Sequence, residues 1–495
     1  MSFLPLPLHK LDPHEPLRDP LELLKKLKEN SRKILEKNTP QTWIDEKLKK
    51  ELHPQQIENL NDLKSGKSVA VITGQQPCLL GGPSLTLHKI LHTLSITEWL
   101  NSKGLKAVPI FWSASEDHDL YEMLRVELWN DDFSPKMHKL NGLSRGFAAE
   151  TFKEPTSLHD SLKKSLSPWL KDAFFSKPSE RYVDPFHHAL QAIFGSKGLL
   201  VVEPKDFTST SGPFWDSVAQ KKQDLLHAYE KDEKTLTDQD IPIQAPRRRG
   251  LPIFTLNSVT GERDPITYNK GAFFQSSEEK ATSELGSLLS KNERLSPGAL
   301  LRPIFAQSQL PILVSVLGPA EYLYHQQIKT AYKTLNCDMP FLWPRLGGTW
   351  VPENLGHLFQ TDLTELDNFV KTSEKGWLNE DTLFEQKIKP LQIEVKKLEA
   401  YYQNELLIGL GPLTQLKKDL ASALNKLERN LKKSDLAKQG WPKSKIELLE
   451  NLLKPKGQPQ ERRLGWVQFL TSESKLNELI TCFKDPFDFS HRLYR

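Results

Sequence analysis

Residues 69–91, VAVITGQQPCLLGGPSLTLHKIL, join an apolar run, a turn dense in Gly and Pro, and a helical pattern. The run Val69–Ile72 does not alternate with polar residues, which is the mark of a parallel strand buried on both faces. A second unit repeats the scheme: KAVPIFWSAS, with Val108–Phe111 as its apolar run, leads into a more polar stretch from Glu116. Strands alternating with helices predict a doubly wound α/β sheet, whose ligands bind beyond the carboxyl ends of the strands. The strand pattern resumes at LLVVE (199–203), at PILVSVLG (311–318) and near Met339–Trp343. Helices are predicted over 20–50 and after Gly318, several short helices within an irregular insertion over 130–200, and a hairpin with TGER as its turn within 241–267.

Composition narrows the class. Charged residues are 26% and hydrophobic residues 38%, and 67 basic side chains nearly cancel 63 acidic ones. That balance argues against an extended nucleic-acid surface. Three scattered cysteines match no metal or redox spacing and suit a reducing compartment. The N-terminal residues lack a basic region followed by an apolar one, and no apolar run reaches membrane-spanning length. The expectation is a cytoplasmic protein with small-molecule partners, no metal, no nucleic acid and no membrane.

Past residue 376 the pattern changes. Ile388, Leu391, Val395, Leu398 and Tyr402 recur at alternating spacings of three and four, as do Leu413, Leu416, Leu420, Leu424, Leu427 and Leu431 after GLGP. Two such seams around a Gly/Pro turn predict an antiparallel helical hairpin over 376–454. Its remaining apolar edge would pair with a second copy or dock on the core. The domains read as a core over 1–375 with inserted segments near 130–200 and 205–300, then the hairpin, then a tail over 455–495.

Three segments fall at predicted strand ends. In TGQQPCLLGGP, backbone N–H groups and a positive helix end could meet an anion, although the spacing is neither GxGxxG nor a Walker loop. A plain structural turn and a ligand loop fit the pattern equally. Cys78 reads better as a small buried hydrophobe than as a nucleophile, because helix rise carries His88 and His92 away from the loop. SASEDHDLYE (113–122) places Glu116, Asp117, His118 and Asp119 at a strand end, where they could bind an ammonium group, hold a metal or act as a base; a solvated acidic first turn is the alternative. Gly318, Pro319 and Glu321 open a helix after a third strand. The PRRRG loop (246–250) could meet an anion, but a solvated arginine loop is the commoner case.

Together, ITGQQPCLLGGPSLTLHK (72–89), PIFWSASEDHDLYE (109–122), the stretch from 295 to 325 and PKGQPQERRLGW (455–466) resemble the BshC family, the cysteine-adding ligase of bacillithiol biosynthesis. The resemblance runs in order along most of the chain, and SHRLYR is similar to the family's closing segment. It implies a Rossmann-like core related to nucleotidyltransferases, with insertions, and a coiled-coil domain used to form a homodimer. It implies a carbon–nitrogen ligase joining the carboxyl group of cysteine to the amine of glucosaminyl-malate, with ATP or ADP bound and ATP activation of the carboxyl. Thr73, Gly74, Gln75 and Gln76 would then line the pocket. Gly82, Pro83 and the following helix start would face an anionic group, and Gly318, Pro319 and Glu321 would close the far wall. Glu116, Asp117, His118 and Asp119 would orient the amine or take its proton. The family carries Gly where this chain has Cys78, so a strained loop is expected if that position needs a positive φ. Another adenylate-forming enzyme and a non-catalytic dimeric scaffold are the rival readings.

Overall fold

The computed structural model describes residues 17–36, 42–48, 51–117, 120–140, 148–149, 162, 166–245, 250–269, 272–275, 281–282, 285, 289, 293–351, 447–448, 451–489 and 492–494. His118, Asp119, the arginines of PRRRG and the heptad seams lie outside the described residues.

In chain order the strands are β1 (Val69–Gln75), β2 (Ala107–Ser113), β3 (Arg125–Trp129), β4 (Pro135–Lys139), β5 (Leu200–Val202), β6 (Ile253–Asn257) and β7 (Arg263–Asn269). They continue with β8 (Ala272–Gln275), β9 (Ala281–Thr282), β10 (Glu293–Pro297), β11 (Ile312–Leu317), β12 (Phe341–Pro344), β13 (Gly348–Trp350) and β14 (Arg492–Tyr494). The central sheet has the order β12-β11-β1-β2-β5, and every neighbouring pair in it is parallel. The chain builds outward from β1 to β2 and β5, then returns to place β11 on the other side of β1. This reversal is a topological switch point, and it opens a crevice at the carboxyl ends of β1 and β11.

The unalternating sequence of these strands is explained by their two buried faces. Ala70, Ile72, Ile110, Trp112 and Val202 pack into one hydrophobic cluster, while Val69, Val71, Val314 and Val316 pack into another. Helices α1 (Pro20–Glu36), α2 (Thr42–Leu48), α3 (Pro54–Lys64) and α4 (Leu85–Ser102) precede β2. Then come α5 (Leu120–Met123), α6 (Pro168–Phe175), α7 (Asp184–Phe194), α8 (Gly212–Gln220), α9 (Lys222–Asp238) and α10 (Arg302–Gln309). The helical pattern after Gly318 forms two helices, α11 (Pro319–Gln326) and α12 (Lys329–Thr334), rather than one; α13 (Gln460–Arg463) and α14 (Glu473–Cys482) lie in the C-terminal segment.

The insertion between β2 and β5 contains an antiparallel β3–β4 pair as well as helices. A second, antiparallel sheet of order β10-β6-β7-β8-β9 follows β5, and the TGER segment lies at the turn between β6 and β7 as its sequence predicts. The C-terminal segment packs back on the core. Pro83 bridges Gly465, the Ser84 N–H donates to the Leu464 carbonyl at 2.8 Å, and the Trp466 indole N–H donates to the Gly81 carbonyl at 3.0 Å.

These contacts give the glycine-rich turn a packing reason. Gly81 and Gly82 have φ of +79° and +71°, and a Cβ on Gly81 would lie 2.4 Å from the Trp466 ring. The turn therefore faces its own C-terminal segment, where the sequence suggested an anionic ligand. Cys78 is buried, 4% exposed, with an ordinary extended backbone of φ −88°, so it strains nothing. Gly81→Ala should lower stability by about 2–4 kcal/mol, since left-handed backbone and overpacking act together. An unchanged urea midpoint would refute that account of the turn.

Candidate active site

At the switch point a lysine organises the crevice. Lys89 sits one turn into α4, among buried leucines and isoleucines and the buried His88 and His92, and is only 2% exposed. Its ammonium donates to the Gly74 carbonyl at 2.8 Å, to Gln75 Oε1 at 2.9 Å and to Glu321 Oε1 at 2.7 Å. All three ammonium protons are thus satisfied. The other Glu321 oxygen accepts the Gly318 N–H at 2.6 Å, so one carboxylate caps α11 and ties it to the end of β1. Burial lowers Lys89 from its ordinary range, opposed by Glu321. Burial would raise Glu321, but Lys89 and the Gly318 N–H overcome it and hold the carboxyl below its usual value.

Beside this clamp stands Asp117, which accepts the Gln76 side-chain amide at 2.9 Å and lies 3.6 Å from the Arg302 guanidinium. Asp117 and Arg302 are each about one-fifth exposed, so both can meet solvent or a ligand. Burial raises the nearby Tyr324 hydroxyl, helped by the charges of Glu321 and Asp117, so it stays protonated at neutral pH. From the end of β12, Arg345 pairs with Glu461, which also holds His88 Nδ1 at 3.0 Å. The C-terminal segment therefore positions Arg345 at the crevice through Glu461, which the exposed Arg462 follows in sequence.

The sequence-predicted residues divide. Gln75, Gln76, Asp117, Gly318, Pro319 and Glu321 gather at the switch point. Thr73 is spent on the sheet, its hydroxyl donating to the Val316 carbonyl at 2.9 Å, and Gly74 packs against Trp112. Glu116 turns away from Asp117 and anchors the second sheet. It is 1% exposed, pairs with Arg294, and accepts the Ser296 hydroxyl at 2.6 Å. A carboxylate so engaged is a joint between sheets, which separates it from the four-residue catalytic group the sequence suggested. Lys89, Arg302, Arg345 and Glu461 were missed. The single lysine within LTLHKILHTL, a helix otherwise without an amine or a carboxylate there, was the available signal for the first.

A second polar line runs from Ser113 Oγ to His187 Nε2 at 2.8 Å, with Glu203 at 3.7 Å from the other ring nitrogen. Ser113 is fully buried, so this line holds β2 to α7 instead of presenting a nucleophile. Burial chiefly drives His187 and His325 down to about 4. An unfolded histidine titrates near about 6.5, so between these values the unfolded chain binds protons that the native chain does not. The contribution is complete above about pH 6.5 and is lost as the pH falls toward 4. Urea midpoints should fall across that window and fall less in His187→Gln and His325→Gln; equal slopes in all three proteins would refute this.

Among the described residues no group of His, Cys, Asp and Glu could hold a metal ion, and no helix is long and apolar enough to cross a membrane. The family model of the bacillithiol biosynthesis BshC N-terminal Rossmann-like domain matches residues 15–346, well over half the chain. The chain belongs to the BshC family. A relative described as "Putative cysteine ligase BshC" from Bacillus cereus (strain B4264) is 28% identical over 448 residues, covering 82% of this chain and 80% of the relative. Relatives of the same description from Bacillus mycoides (strain KBAB4) and Bacillus thuringiensis (strain Al Hakam) are each 26% identical at the same coverage. The matched region contains the whole central sheet and the switch-point crevice, apart from the C-terminal segment that supplies Glu461.

Proposed function

We propose that this protein is a cysteine ligase acting in bacillithiol biosynthesis, joining the cysteine carboxyl group to the amine of glucosaminyl-malate. Family membership across the core carries this reading, and the polar crevice at the switch point supports its placement. A carboxylate does not acylate an amine unaided, so the reaction calls for activation by ATP. Arg302 and the exposed Arg462 supply positive charge at the crevice, which suits the phosphates of a nucleotide or the carboxylates of a malyl group, while Arg345 is held by Glu461. Asp117 orients the attacking amine and takes its proton, while Gln75 and Gln76 meet polar substrate groups.

Purified protein given cysteine, glucosaminyl-malate and ATP should form the amide and consume nucleotide in equal amounts. A deletion strain should accumulate glucosaminyl-malate and lack bacillithiol; normal bacillithiol there would overturn the assignment.

The heptad seams support a second element of the proposal, a homodimer formed through a coiled-coil hairpin. Leu420→Asp should convert the dimer to monomers in sedimentation experiments, and a dimer that persists would place the interface elsewhere.

A further inference from the structure

The helix α13 (Gln460–Arg463) is a single turn, too short to hold itself together in water. Its orientation therefore comes from its side chains, and three of the four are tied down. Gln460 is 1% exposed. Its Oε1 accepts the Trp350 N–H at 2.8 Å, and its Nε2 donates to the Trp350 carbonyl at 2.9 Å and to the Leu452 carbonyl at 2.7 Å. Both amide donors are used, so the group cannot turn over without losing its bonds. Trp350 and Leu452 lie on either side of the sequence that carries the heptad seams. Next in line, Glu461 pairs with Arg345 and holds His88, and the Arg463 guanidinium donates to the buried Glu127 at 2.9 Å.

The remaining side chain of the turn, Arg462, is exposed. Its charge reaches Lys89 in the crevice and helps press that ammonium down. A cation whose backbone is fixed in advance has less freedom to lose when an anion arrives, which tightens binding without any new contact. Gln460 opens the turn, so its bonds set the backbone from which Arg462 projects.

We propose that Gln460 is a positioning residue for the ligation: by clasping Trp350 and Leu452 it fixes the turn that presents Arg462 to an anionic substrate group. The link to the ligation rests on the preceding reading, whereas the presentation of Arg462 does not. The clasp also makes both flanks of the heptad-bearing sequence part of the frame of the site. Anion binding at the crevice and order at Trp350 are then coupled in both directions.

Malate and pyrophosphate are the probes, titrated calorimetrically into the full-length protein. The tighter of the two should bind about tenfold more weakly to Arg462→Ala and to Gln460→Met, a substitution of similar volume that deletes the amide. The double variant should bind no more weakly than Arg462→Ala alone, because Gln460 acts through Arg462. In the ligation, Gln460→Met should raise the KM of the substrate carrying that anion about tenfold, glucosaminyl-malate for malate or ATP for pyrophosphate, with kcat unchanged within about threefold. If Gln460→Met does not fold, hydrogen exchange in the wild type decides: the same probe should slow exchange of the Trp350 amide. A folded Gln460→Met protein that binds the probe as the wild type does would overturn the proposal. So would multiplied losses in the double variant, Trp350 exchange indifferent to the probe, or binding of neither probe. If the wild type forms no cysteine amide yet shows this coupled loss of anion binding, the positioning role stands and the ligase reading falls.

Discussion

Lys89→Met should destabilise the protein by about 2–3 kcal/mol, because it removes a buried ammonium and leaves its three acceptors without a donor. Methionine fills most of the volume of the lysine stem, so the loss falls on the ammonium. Glu321, about one-quarter exposed, would keep its charge without its partner, and the Gly74 carbonyl and Gln75 amide would each lose a donor. The penalty is therefore mostly that of stranded acceptors. Adding Glu321→Gln to Lys89→Met should recover a large part of it, since a neutral amide still accepts the Gly318 N–H without a stranded charge. Urea denaturation of the two single variants and the double variant checks this. A double variant as unstable as the sum of the singles would show that the pair is not the unit of the clamp. Activity should fall with Lys89→Met as well, because the ends of β1 and α11 lose their common tie.

Much of the fold was legible because parallel strands buried on two faces leave a plain trace. VAVITG, AVPIFW, LLVV and ILVSVL are unalternating apolar runs, and each became a strand of the central sheet. The order of those strands was not legible. It depends on where β11 inserts beside β1, a contact between segments more than two hundred residues apart. The break between α11 and α12 was also hidden, because Gln327 is a good helix former in isolation. Its side chain instead accepts the backbone N–H groups of Gln244 and Ala245 at 3.0 Å.

The site was legible in position and blurred in role. The strand-end rule located TGQQP, SASED and GPAE at one edge. It could not tell that consecutive acids would point to different places, since that is decided by Arg294 and Ser296 on a sheet far along the chain. Nor could it tell that the glycine at 81 answers to Trp466 and the one at 82 to Cys78. Spacing in sequence reports local backbone, whereas a residue's chemistry is set by the partner that the fold delivers.

Substituting the two neighbouring acids separates these roles. Asp117→Asn should cut kcat by about 10²–10⁴, the usual contribution of a general base, with little loss of stability. The asparagine carbonyl can still accept the Gln76 amide that Asp117 accepts at 2.9 Å, so the local geometry survives and only the charge and the basic lone pair are lost. Glu116→Gln should do the reverse. It leaves Arg294 buried without its countercharge and loosens the joint to the antiparallel sheet, which lowers the denaturation midpoint more than it lowers turnover. Denaturation midpoints and steady-state kinetics on both proteins provide the comparison. An active Asp117→Asn enzyme would remove Asp117 from proton transfer and leave it only a binding role. If instead Glu116→Gln abolished turnover in a fully stable protein, the base would be the buried acid, and the Arg294 pair would have to open during the reaction.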